Sequence, residues 1–264
     1  MTKRLTRARQ KIALAHIPYR VPAVHELPDR LAGVTTTVYL VFNEGYLATA
    51  GDAHTRPDLA EQAIRLGRLL VDLMPGEASL QGLLALMLLQ HARSATRTIV
   101  GGDGVAELVL LADQDRSRWD AAAIREGVAL VGEGLRRTPD HPDRYVVQAA
   151  IAACHALAPD AAGTDWDAIV SWFDVLVTVD GSPVVLLNRA AAIAERDGPG
   201  PALALMDEID GLTQYPMWHA ARGELCTRLG RSADAADAFR AALALPVTAA
   251  QRRLLEARLA ADPT

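Results

Sequence analysis

Aromatic residues are scarce in this chain: Phe, Trp and Tyr make up 5% of its 264 residues. Cysteine is scarcer, with two in all, Cys154 and Cys226, both inside apolar helical stretches. That usage argues against a disulfide framework and reads as small buried hydrophobes in a reducing cytoplasm. Long apolar runs are missing as well. The most apolar stretch, Leu80 to Leu89, is about half the length of a membrane span, so it reads as a buried helix and no membrane contact is expected. The first residues are basic with no apolar segment behind them, which argues against a secretory leader.

Catalytic and cofactor motifs are equally sparse. The histidines form no HxxxH or HExxH pair and no CxxC occurs, so no metal site is expected. No dinucleotide-binding or Walker-type glycine loop is present. Gly101-Gly-Asp-Gly104 lacks the lysine and the following helix that a phosphate loop needs, and reads as a turn. There is no Gly-x-Ser-x-Gly elbow. Cys154 and His155 are neighbours on a helix and point about 100° apart, a poor geometry for a dyad. The expectation is a protein that is not an enzyme and holds no cofactor.

What the chain does contain is alanine and leucine, half of it apolar and 22% of it charged. This mixture favours helices packed on helices, with small residues permitting close approach. The net charge of −5 conceals an asymmetry. Residues 1–20 hold Lys3, Arg4, Arg7, Arg9, Lys11 and Arg20 and no acid, a charge of +6 against −11 for the remainder. Thr2 to His16 has helical periodicity, with Leu5, Ala8, Ile12 and Ala15 on one face. Arg4, Arg7 and Lys11 lie along another, where they can meet nucleic-acid phosphates. Ile17 to Pro28, with three prolines, reads as an extended linker.

Further on, a helix is expected around Val34 to Thr49, with Val34, Val38, Val41 or Phe42, and Tyr46 on one stripe. Asp58-Leu-Ala-Glu61 reads as a capping-box start for the next helix, which Pro75-Gly76 stops. Leu80 to His91 is apolar nearly all round and belongs at the centre of the core. Ser94 to Gly104 breaks the pattern, and Glu107 to Leu111 suits either a strand-like segment or a helical turn. Asp113 to Trp119 leads into a helix ending near Arg137. Beyond Pro139 and Pro142 the pattern predicts only helices of roughly 12–17 residues joined by short loops. Their starts are marked by Thr164 with Asp167, by Ser182-Pro183, and by Thr248 with Gln251.

The last third repeats on itself. Gly223, Gly230, Ala235, Phe239 and Ala242 fall in register with Ala190, Asp197 (beside Gly198), Ala202, Met206 and Ile209, 33 residues earlier. A looser copy has Ala150, Ile169, Phe173 and Leu176, with a longer loop at 158–163. Small-x₂-large-x₃-Gly followed by Ala-x₃-aromatic-x₂-Ala is the tetratricopeptide pattern. The small position lets the first helix of a repeat cross close to the second, and the aromatic fills the groove to the neighbour. A generic antiparallel bundle is the alternative. The expected fold is all-α: a family-specific helical part over 21–138 and tetratricopeptide-like repeats over 139–264, sharing one continuous core, after a leading segment over 1–20.

Leu40-Val-Phe-Asn-Glu-Gly-Tyr46, Glu61-Gln-Ala-Ile-Arg-Leu-Gly-Arg-Leu-Leu70, Leu83-Leu-Ala-Leu-Met-Leu-Leu89 and Leu108-Val-Leu-Leu-Ala-Asp-Gln-Asp-Arg-Ser-Arg-Trp-Asp120 carry a family resemblance. So do Gln148-Ala-Ala-Ile-Ala-Ala-Cys-His-Ala156 and Ser182-Pro-Val-Val-Leu-Leu-Asn-Arg-Ala190. Together they resemble extracytoplasmic-function-type RNA polymerase sigma factors with a long C-terminal tetratricopeptide extension, a group associated with small YCII/DGPF-type proteins. Lys3 to Ile12 is similar to the end of region 4, the promoter-reading helix-turn-helix domain, with the regions upstream of it absent. The resemblance implies a regulator of transcription initiation that contacts RNA polymerase core and its own sigma regions, with promoter DNA bound only by the full-length protein.

The most polar local cluster is Asp113, Gln114, Asp115, Arg116, Arg118 and Trp119. Arginine supplies planar bidentate donors, so the cluster suits a ligand or partner site. The competing reading is an ion-pair network that fastens an irregular connection to its neighbours. Asn43 and Glu44, polar residues amid an apolar helix, are expected to be buried and paired, with Arg65, Arg68 or Arg93 as candidate partners. A small-molecule sensor with a pocket near Arg116 and Trp119 is the alternative to a protein–protein adaptor.

Overall fold

Pro28 opens a helix instead of ending a linker. In this computed structural model, which describes residues 26–46, 56–100 and 106–261 together with Thr6, Arg7, Gln10, Lys11 and Leu14, helix α1 spans Leu27–Tyr46. It starts seven residues before the expected position because proline is tolerated in a first helical turn, where its missing N–H has no intrahelical partner to lose. Helix α2 is Pro57–Leu73 and α3 is Ala78–His91. A short antiparallel hairpin follows, β1 Thr98–Val100 and β2 Ala106–Leu108, with Ile99 opposite Glu107. The strand-like reading of Glu107 thus holds for its first residues, and Leu111–Asp113 is a single 3-10 turn.

The rest is helical: α4 Ala121–Arg137, α5 Arg144–Leu157, α6 Trp166–Val179, α7 Pro183–Arg196, α8 Pro199–Asp207, α9 Pro216–Arg228, α10 Ser232–Leu243 and α11 Ala249–Ala261. Among the described residues the protein is all-α apart from that hairpin. Helix α8 has only 9 residues, shorter than the expected range. Gly198 at φ 96° delays its start, and the connection to α9 turns at Gly211, φ 83°.

The helix starts follow from local chemistry. Asp120, Asp143 and Asp165 each accept a backbone N–H in the first turn of α4, α5 and α6, at 2.9 Å from Ala122, 2.8 Å from Tyr145 and 2.9 Å from Ala168. Thr248 and Gln251 form the reciprocal capping box expected of them, with bonds of 2.9 and 3.3 Å. Ser182 and Pro183 take the N-cap and first helical positions of α7. Two expectations need correction. The cap of α6 is Asp165, not Thr164, because the carboxylate one residue on is the stronger acceptor beside a positive helix end. Asp58 does not cap α2: Pro57 takes the first helical position, Arg56 becomes the N-cap, and Asp58 sits 3.8 Å from the Arg56 guanidinium.

Contacts divide the chain into Met1–Thr36 and Thr37–Thr264. In the first unit the Thr35 and Thr36 hydroxyls both donate to the Ala32 carbonyl, at 3.0 and 2.8 Å. The second holds two hydrophobic clusters that share α5. Tyr145, Ala149, Ala150 and Ala153 of α5 join Phe42, Ala63, Val131 and the whole run Leu83–Leu89. Val147 and Ile151 turn the other way, toward Ile169, Phe173, Met206 and Phe239. The expected single core is therefore two clusters with one helix as their common wall, a consequence of apolar residues all round α5.

The 33-residue period is visible in space. Gly223 of α9 lies against Phe239 of α10, where a methyl group would meet the ring at 2.6 Å. The register positions Ala190, Ala202, Met206, Ala235 and Ala242 are all buried. Ion pairs repeat with the same step: Arg189 with Asp174, then Arg222 with Asp207. Arg228 with Glu195 and Arg258 with Glu224 link equivalent helices of successive repeats. Exposed pairs of this kind contribute little stability each, so they mark the register more than they hold it. The helices α5–α6, α7–α8 and α9–α10 form the repeat hairpins, and α11 stacks on the last. Strand β2 packs against α11, with Glu107 3.8 Å from Arg253.

Candidate functional site

Tyr46, at the end of α1, is the hub of the polar region. Its neighbour Gly45 touches the start of α2: the Arg56 N–H donates to the Gly45 carbonyl at 2.7 Å, and a methyl group on Gly45 would meet the Arg56 carbonyl at 2.9 Å. This close approach gives Gly45 its reason and sets where Tyr46 sits. Arg93 donates to the Tyr46 hydroxyl at 2.6 Å, and Arg97 donates to the Tyr46 carbonyl at 2.6 Å while its guanidinium lies 3.5 Å from the ring centre. Asn43 reaches one turn back to the Tyr39 hydroxyl, whose pKa is raised by burial in spite of that bond. Asn43 and Glu44 are half-buried. The three arginines proposed for them bond to other groups: Arg65 pairs with Glu61 at 3.7 Å, Arg68 holds Glu126 at 2.8 Å, and Arg93 takes Tyr46.

The Asp113 to Trp119 cluster is fastened to the turn that Arg93 and Arg97 flank. Trp119, 7% exposed, donates its indole N–H to the Thr96 hydroxyl at 2.9 Å. Gln114, 8% exposed, donates to the Val109 carbonyl at 3.1 Å. Arg116 stacks 4.7 Å from the Trp119 ring and donates to the carbonyls of His155 and Ala158, the latter at 3.0 Å. Asp115 caps its own turn, accepting from the Ser117 N–H at 3.0 Å and hydroxyl at 2.6 Å, and these bonds lower its pKa. The Asp120 N–H donates to the Ala92 carbonyl at 2.9 Å. Asp113 and Arg118 are exposed. The segment is fastened as expected, but through carbonyls, an indole and a side-chain amide; among the described residues, ion pairs have no part in it.

Sequence reasoning missed Tyr46, Arg97 and His155. The ring of His155 on α5 lies 5.4 Å from that of Trp166, and its Nδ1 is buried with no hydrogen-bond partner among the described residues. Burial, with help from Arg93 and Arg116, lowers its pKa to about 4. Burial likewise lowers the pKa of Arg97 and Arg116, and in both cases Arg93 adds to the effect. Among the described residues no carboxylate forms an ion pair with Arg93, Arg97 or Arg116. Arg93 and Arg97 could have been suspected as two cations in an irregular stretch after the most buried helix. Tyr46 and His155 carried no such signal, since one ends an apolar stripe and the other sits mid-helix. The basic arm lies mostly outside the described residues. Arg7 and Lys11 are helical and exposed, and Arg4 is not among the residues described.

Residues 30–135 match a protein family of unknown function, DUF6596. The matched stretch holds Tyr46, all three arginines and Trp119. An uncharacterized protein of Rhizobium meliloti (strain 1021) is 42% identical over 267 residues, across 100% of this chain and 62% of that protein. The chain therefore spans less than two thirds of that relative's length. In three dimensions the chain is similar to the crystal structure of a thermophilic TPR protein from Thermus thermophilus. The TM-score is 0.52 at 15% identity, over 87% of this chain and 95% of that one. The tetratricopeptide-like fold stands on that likeness and on the repeat register. No described helix is long and apolar enough to cross a membrane.

Proposed function

We propose that this chain is the regulatory C-terminal part of a bacterial extracytoplasmic-function-type sigma factor, acting in the cytoplasm on transcription initiation through protein–protein contacts. The observation that carries the reading is the joining, in one chain, of a basic N-terminal sequence, in which Arg7 and Lys11 are helical and exposed, with helical hairpins in a 33-residue register. The first suits the tail of a DNA-reading domain, and the second is an architecture that offers an extended surface to other proteins. The motifs from Leu40 to Tyr46, Leu108 to Asp120 and Ser182 to Ala190 resemble that sigma-factor group. The longer Rhizobium relative leaves room beyond the matched length for sigma regions. The partners are RNA polymerase core, the sigma regions of the same protein, and a YCII/DGPF-type protein. The chain itself performs no catalysis in this scheme.

Purified chain, immobilised and offered RNA polymerase core and separately expressed sigma regions of this group, should retain one or both. Deleting the region equivalent to 37–264 from the full-length protein should change promoter-dependent reporter output. Unchanged output together with no retention would remove the proposal.

A further inference from the structure

Arg93 and Arg97 meet at Tyr46, Arg116 stacks on Trp119, and none of the three forms an ion pair with a carboxylate among the described residues. Arg93 and Arg97 both bond to Tyr46, and the turns carrying Thr96 and Arg116 adjoin through the Trp119–Thr96 bond. Each of the three is half-buried. Among the described residues their hydrogen bonds engage one terminal nitrogen apiece, out of five N–H donors per guanidinium. Asp160 attracts Arg116 from beyond ion-pair distance and offsets part of its charge, while its Oδ1 accepts the Gly163 N–H at 2.7 Å.

The usual structural explanation accounts for only part of this. A carbonyl or a hydroxyl needs a donor, and a neutral amide would serve. Placing three full charges together, partly out of water, adds mutual repulsion that the carbonyl bonds do not require. The body of this protein is strongly acidic, so counter-charges were plentiful; Arg68, Arg189, Arg222 and Arg228 all have carboxylate partners.

We infer that Arg93, Arg97 and Arg116 form a binding site for a phosphate-bearing small molecule, with Tyr46 and Trp119 as its aromatic walls. The charge balance favours phosphate over a lone carboxylate. A phosphate monoester carries roughly −1.5 to −2 charges and three acceptor oxygens, against one charge and two oxygens for a carboxylate. Forked guanidiniums match that geometry. The site stands apart from the sigma-factor proposal: it requires only that the chain fold as described.

The test uses the whole chain, with inorganic phosphate and pyrophosphate as probes in calorimetry at ionic strength matched with chloride. Both probes should bind. Arg93→Gln, which keeps a donor for the Tyr46 hydroxyl, should weaken binding about ten-fold or more, as should Arg97→Lys, which keeps a charge but loses the fork. Arg136→Gln, on the outer face of α4, should leave it unchanged. His155 provides an independent readout by NMR. Its ring faces Arg93, Arg116 and Trp166, and a bound anion should offset the two cations and move its titration upward in the unaltered chain but not in Arg93→Gln. No heat beyond the chloride control, equal binding by the folded Arg93→Gln and Arg97→Lys chains, or an unmoved His155 titration would each overturn the site. Acetate binding as tightly as phosphate would overturn the choice of ligand.

Discussion

Gly82 of α3 and Val146 of α5 are in such close contact that a methyl group on Gly82 would meet the Val146 Cγ2 at 2.7 Å and the Tyr145 carbonyl carbon at 2.8 Å. Val146 also lies against Gly134 of α4, where a methyl group would meet the same Cγ2 at 2.8 Å. Two glycines thus let three helices close on one valine.

Gly82→Ala should therefore destabilise the protein despite the better helix propensity of alanine. Propensity returns about 1 kcal/mol, while forcing backbone apart in a packed core costs about 1–3 kcal/mol or more. A net loss of about 2 kcal/mol is expected by urea denaturation. A Gly82→Ala protein as stable as the original would show that this contact is loose.

The repeat register makes a second prediction. Phe239 is 2% exposed, and its truncation to alanine should cost about 3–5 kcal/mol. Gly223→Ala alone should also destabilise, because the ring it meets at 2.6 Å is buried in the core. Combined with Phe239→Leu, the glycine substitution should cost less than it does alone, since the smaller side chain leaves room. Strict additivity in that double-mutant cycle would mean the two positions do not pack as described.

Trp119→Phe keeps an aromatic body and removes the N–H that bonds to Thr96. A loss of about 1 kcal/mol is expected, with the fold intact by circular dichroism. Trp119→Ala should lose several times more, and equal losses would assign the role of Trp119 to its indole nitrogen alone.

Acid should weaken the fold through His155. Its pKa is about 4 in the folded protein, against an ordinary 6.5. Below pH 6.5 the unfolded chain binds the proton more readily, so stability falls as pH drops from about 6.5 and stops falling from this cause below about 4. The full effect is about 3 kcal/mol. Chemical denaturation at pH 7, 5.5 and 4.5 should register the decline, and His155→Phe should flatten it.

The helices were legible because their apolar periodicity, capping residues and 33-residue repeat are all local or nearly local signals. The shared register of Gly223, Ala235 and Phe239 could be read from spacing alone, but spacing assigned Phe239 to the groove between repeats, and the structure also lays it on Gly223 of its own hairpin. The start of α1 was not legible, since Pro28 signals a linker and a first helical turn equally well. Nor was the arrangement around Tyr46. Arg93 and Arg97 flank one short turn while Arg116 and His155 come from two other elements, and nothing in their spacing says that the first two share one tyrosine. The polar cluster at Asp113 to Trp119 was conspicuous by composition, yet its bonds go to carbonyls and Thr96. Acceptors of that kind leave no trace in a sequence, because every residue has a carbonyl.

The contact of strand β2 with helix α11 sets an order of events at the ribosome. Residues 106–108 emerge long before residues 249–261, and every repeat hairpin must be synthesised between them. The earlier helices can pack as they appear, but this strand has to wait for α11 before its last neighbour exists. A contact of such long range is made late, and only a chain synthesised through α11 can make it.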